Sequence, residues 1–149
     1  MVNIRKIEET LQESIFEVFE KMFYLFLDSE EGEVFEPYRK THISFAGPIK
    51  GDLWLNFNKE IAFLMTENML NMRESEVTEG IIEDCLKEAT NMVLGNFLRR
   101  YDPEGVFDLT LPLVNHESLE RWPPAYSLKK DFIGENGAIM EVFLALSPR

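Results

Sequence analysis

The residues best suited to chemistry stand in one row: Asp84, Glu88, Asn91 and Gly95, spaced four, three and four apart. At about 100° per residue these offsets bring all four to one side of an α-helix. The rest of the segment supports that reading. Ile82, Cys85, Leu86, Ala89, Met92, Val93 and Phe97 share another side and predict a core-facing stripe. The row is odd for a merely solvated face. Asn is a poor helix-interior residue, and a mid-helix Gly costs about 1 kcal/mol against Ala. An exposed position would normally take Lys, Glu or Ala. A carboxylate and an amide held side by side on a rigid helix can act on a molecule outside the protein. With 21 glutamates and 9 asparagines in 149 residues, roughly one Glu-x-x-Asn spacing is expected by chance. The signal therefore lies in the row and its helix, not in the pair. The plainer alternative is an acidic solvated face on which Gly95 lets another helix of the same protein pack closely.

Other chemistry is scarce. His42 and His116 are the only histidines, and neither has a second soft ligand nearby in sequence, so no metal site is expected. Ser44 and Ser127 sit in no strained elbow, and neither histidine has an evident orienting partner. No Gly-rich phosphate loop is present. The chain is expected to bind no cofactor by itself. A net charge of −12 and a pI near 4.6 repel phosphate backbones, which argues against nucleic acid and suits a partner with a basic patch. The single cysteine, Cys85, lies on the buried stripe and fits a reducing, cytoplasmic setting. The most apolar N-terminal run, Met22 to Leu27, is too short for a membrane span and follows acidic residues rather than a basic region.

The elements that must position the row follow from periodicity. Ile4, Ile7, Leu11, Ile15, Val18, Met22 and Leu25 predict a helix over residues 4–27, widened by Phe16, Phe19, Phe23 and Phe26. An acidic loop follows from Asp28 to Glu33. His42 to Phe57 alternates as a hairpin around Gly47-Pro48-Ile49-Lys50-Gly51. Lys59 to Met72 reads as a second helix with Asn58 as N-cap. The third helix starts after Ser75 or Thr78 and runs to about Tyr101, ended by Asp102-Pro103-Glu104-Gly105. Phe107 to Val114 is a strand broken by Pro112, and Asn115 to Pro124 is a polar loop. Tyr126 to Ile133 and Ala138 to Leu146 are strands joined at Gly134-Glu135-Asn136-Gly137. Length and order give one α+β layered domain over 1–149, with three main helices on a mostly antiparallel sheet. The chain also reads as two loosely similar halves, each a long helix followed by strands.

The segment Asp84-x-x-x-Glu88-x-x-Asn91, with Pro112 after 20 intervening residues, resembles the signature helix of the CheC/CheX/FliY family of chemotaxis phosphatases. The family's proline stands some two residues farther on. The Glu17-Val18-Phe19-Glu20-Lys21-Met22 run, the hairpin with Gly47 and Gly51, and the last strands extend the likeness over nearly the whole chain. Only one signature is present, since the first helix offers Glu13 but Phe16 where a second Asn would stand; this is similar to CheX-type members. The resemblance implies a layered CheC-like fold and hydrolysis of the aspartyl phosphate of a CheY-like response regulator. It implies that Asn91 orients the attacking water and Glu88 pairs with the regulator's active-site lysine. Asp84 and Gly95 would contact the partner. Mg²⁺ would sit on the regulator, and a homodimer is expected. A non-catalytic regulator-binding adaptor is the competing reading.

Overall fold

A computed structural model of the chain describes residues 3–115 and 122–147. Helix α1 (Ile4–Phe23) starts at Asn3, whose side chain accepts the Lys6 amide at 3.2 Å. It ends four residues short of the expected boundary. Tyr24 takes a left-handed conformation (φ 54°), and the Leu25 amide closes the turn on the Phe19 carbonyl at 3.0 Å. Beyond it the chain is extended, with Leu25 and Leu27 buried and Tyr24 and Phe26 exposed. Leu25 fits both a helical stripe and an alternating one, which is why periodicity overran the helix.

The strands are β1 (Asp28–Ser29), β2 (Arg39–Ala46), β3 (Lys50–Phe57), β4 (Asp108–Leu109), β5 (Leu113–Asn115), β6 (Leu128–Ile133) and β7 (Ile139–Ser147). Helices α2 (Lys59–Leu70) and α3 (Glu79–Tyr101) lie between β3 and β4 in sequence. The expected caps are in place: Asn58 accepts the Ile61 amide at 3.0 Å and Thr78 the Ile81 amide at 3.2 Å. Pro112 separates β4 from β5, and both pair with β2. The acidic loop after α1 contains β1, which pairs with β6. Two exposed residues carry no alternating pattern, so that strand was not legible. The expected polar loop, including His116, lies mostly outside the described residues.

Among the described residues the sheet has seven strands in the order β1-β6-β7-β3-β2-β4, with β5 also on β2, and every pairing is antiparallel. The order is close to two-fold. β3 and β7 pair at the centre, β2 and β6 flank them, and the short strands of each half close the sheet beside the other half. The two halves suggested by the sequence thus correspond to a real symmetry of topology.

Three helices pack on one face of this sheet. Ile43, Phe45, Leu53, Leu55 and Phe57 meet Leu86, Val93 and Phe97 of α3 and Phe19 of α1 in one continuous core. Each fully buried side chain of this size contributes about 1.5–3 kcal/mol against exposure. No helix among the described residues is long and apolar enough to cross a membrane.

Candidate functional site

Three sets of contacts fix the rotation of α3. At its N-terminal half, Arg39 from β2 reaches Glu83 at 3.2 Å and Glu79 at 3.5 Å, with its guanidinium 4.1 Å from the centre of the Tyr38 ring. At mid-helix the Thr90 hydroxyl meets Thr41 at 2.6 Å in a fully buried contact with the sheet. At the C-terminal half Arg100 bonds Asn96 at 2.7 Å and Glu13 at 3.2 Å, and also pairs with Glu17 of α1. Lys21, Arg100 and Asn96, all bonded to the Glu17 carboxylate, lower its pKa to about 2. Glu17 therefore remains charged through any physiological pH, and so does the clamp between α1 and α3.

With those three arcs committed, one arc remains for solvent. It carries Asp84, Glu88 and Asn91, all exposed, and the half-buried Gly95. The structure brings the four predicted residues together on one face. Among the described residues Glu88 and Asn91 have no hydrogen-bond or ion-pair partner. Asp84 has only a distant contact with Lys87, at 4.0 Å. A rise of 1.5 Å per residue sets Glu88 and Asn91 about 4.5 Å apart along the axis, so both can touch one small group. At Gly95 an added Cβ would meet nothing within 4 Å. Among the described residues nothing packs closely on this glycine, which speaks against the plainer explanation for it.

The first helix offers no second site. Glu13 is held by Arg100, and Phe16 packs edge-on against Phe132 at 5.7 Å. Cys85 is buried beside the Met69 sulfur at 3.9 Å, and burial raises its thiol pKa, so it is no nucleophile at neutral pH.

The opposite face of the sheet holds a cluster that sequence alone did not resolve. His42 Nε2 lies 2.8 Å from Asp52 Oδ1, and the Ser44 hydroxyl donates to the same oxygen at 2.6 Å. The histidine does have an orienting partner, contrary to expectation. Ser44 pairs with Asp52 across the β2–β3 ladder, so only the strand register could have revealed it. The hydroxyl donates chiefly to the carboxylate and lies 3.5 Å from the same imidazole nitrogen, Nε2. Asp52 and Ser44 both face that one ring nitrogen, whereas a triad holds its carboxylate and hydroxyl on opposite nitrogens, so the three do not form a nucleophilic triad. The other serine considered, Ser127, accepts the Leu146 amide at 3.0 Å in a structural role. No group of three His, Cys, Asp or Glu side chains gathers as a metal site among the described residues.

The fold has known counterparts. A chain of the CheX–CheY–BeF3–Mg²⁺ complex from Borrelia burgdorferi superimposes with a TM-score of 0.76 at 18% identity, over 95% of this chain and 97% of that one. CheX from Vibrio vulnificus gives 0.75 at 21%, over 93% and 95%. A CheC-like superfamily protein from Shewanella sp. PV-4 gives 0.69 at 21%, over 96% and 99%. At such identities the likeness is one of fold. Among curated protein sequences none matches this chain. The family model for chemotaxis phosphatase CheX matches residues 41–125, more than half of the chain and all of α3. The protein is therefore a member of the CheX family of chemotaxis phosphatases.

Proposed function

We propose that this chain accelerates hydrolysis of the aspartyl phosphate on a CheY-type response regulator, and that α3 carries the chemistry. One observation carries the reading: a member of a phosphatase family presents Glu88 and Asn91, one turn apart and without a hydrogen-bond or ion-pair partner among the described residues, on a helix clamped at both ends. The chain gathers no metal-binding cluster among its described residues. In the Borrelia burgdorferi complex the CheX protein is accompanied by CheY, BeF3 and Mg²⁺. In our reading Mg²⁺ and a lysine belong to the regulator and neutralise the phosphoryl oxygens there.

What the regulator lacks is a fixed water. Asn91 supplies it: the amide oxygen accepts a hydrogen bond from the water and leaves a lone pair aimed at phosphorus, while the amide NH₂ donates to a phosphoryl oxygen. An amide does both without titrating. Water attacks in line, the bond from phosphorus to the aspartyl oxygen breaks, and inorganic phosphate and the free carboxylate result. Holding the water removes orientational entropy from the barrier. Glu88 pairs with the regulator's lysine and fixes the helix over the site, Asp84 adds a docking charge one turn back, and Gly95 keeps the row clear of bulk.

The decisive experiment charges CheY-type receivers with acetyl phosphate and follows phosphate release with and without this protein. Faster release identifies the enzyme. Binding with unchanged or slower release identifies the adaptor instead. Glu88→Ala should raise the regulator concentration needed for half-maximal stimulation about tenfold, the worth of one charge-assisted contact. Unchanged half-saturation and unchanged rate would leave Glu88 without an anchoring role. The short edge strands suit a homodimer, for which sedimentation at increasing concentration is the check; a monomer throughout would exclude it.

A further inference from the structure

A groove of about 300 Å³ begins where the α3 row ends. Gly95, Leu98, Arg99, Asp102, Phe107 and Leu109 line it, so its walls are the last two turns of α3 and the chain entering β4. It exists because Gly95 has no side chain, and space stays open above that residue. The segment beside it is unusually apolar for a surface. Val106 is 83% exposed, Leu111 85% and Leu109 37%. The other end of the row is charged, with Asp84 and Glu88. The α1 side of the helix is closed by the Glu13, Glu17 and Arg100 pairs.

Geometry chooses the occupant. A folded partner buries about 800 Å² of this protein in a standard interface, a disc roughly 16 Å in radius. Gly95 is about 6 Å along the axis from Asn91, and Asp102 about 16 Å. A receiver domain seated squarely on Asn91 reaches the Gly95 end of the groove, about 6 Å away, and extends toward its far end. We infer that this groove is the apolar anchor of that interface. It takes one large apolar side chain from the receiver, beside the phosphorylation site. It adds to affinity and sets partner choice, while Glu88 anchors the helix over the site and Asn91 sets the chemistry. The inference rests on the proposed function and adds to it the surface that selects the regulator.

The test titrates a beryllofluoride-activated, Mg²⁺-loaded CheY-type receiver into the native protein, Gly95→Leu and Leu109→Ser. Gly95→Leu fills the groove without meeting any neighbour at Cβ, so its thermal midpoint should equal or exceed the native one. Its dissociation constant should nevertheless rise about tenfold or more, the range of a buried interface anchor. Leu109→Ser should shift affinity the same way, and it decides the matter alone if Gly95→Leu fails to fold. Leu109→Ser, which lies outside the α3 row, should keep most of the native rate once the receiver saturates it. Dissociation constants within twofold of native overturn the groove and leave the proposed function standing, as does a loss confined to the saturated rate. If no CheY-type receiver binds the native protein, the proposed function fails and the groove with it.

Discussion

Replacing Asn91 by alanine is expected to lower stimulated phosphate release about a hundredfold, the cost of losing one preorganised group that acts on the reacting atoms. The fold should not notice. Asn91 is exposed and has no partner among the described residues, so nothing is left unsatisfied when it goes. Alanine is the better helix former by roughly half a kcal/mol, so the thermal midpoint should hold or rise slightly. Affinity for a beryllofluoride-activated receiver should change little, because the anchoring charge at Glu88 remains. A large fall in rate with stability and binding intact is the signature of a side chain that touches the reaction and nothing else. Native phosphate release from Asn91→Ala would remove the helix from the chemistry, whatever the family.

The sequence made the face of α3 legible because three signals agreed. The stripe from Ile82 to Phe97 has the helical period, Thr78 supplies a cap, and the row from Asp84 to Gly95 contradicts ordinary surface preference. What it could not decide was whether Gly95 served an internal contact, since a glycine in a string of letters does not say what faces it. The open space above its α-carbon decides that. Errors arose where two periods coincide or none exists. Leu25 satisfied a helix and an extended run alike, and β1 has only Asp28 and Ser29 to show. The His42, Ser44 and Asp52 contacts depend on register across β2 and β3, which no single strand encodes. The apolar groove joins Gly95 and Leu109, residues from different elements that meet only once β4 pairs with β2.

Phe97 provides the opposite prediction on the same helix. Its ring is fully buried and stacks on Tyr101 at 5.9 Å, within the core that α3 shares with the sheet. Phe97→Ala should cost about 3–5 kcal/mol, the sum of lost transfer energy and the cavity left behind. That is a large share of the 5–15 kcal/mol that ordinarily holds a domain together. With a urea slope of about 2 kcal/mol/M, the unfolding midpoint should fall by roughly 2 M. Phosphate release per folded molecule, measured well below the new transition, should stay close to native, because Phe97 is fully buried and faces the core. A hundredfold loss in the still-folded variant would mean that the set of the helix, rather than the identity of its outward side chains, governs the rate. A near-native rate would set the two substitutions apart. Six residues along one helix, the first would remove catalysis without stability and the second stability without catalysis.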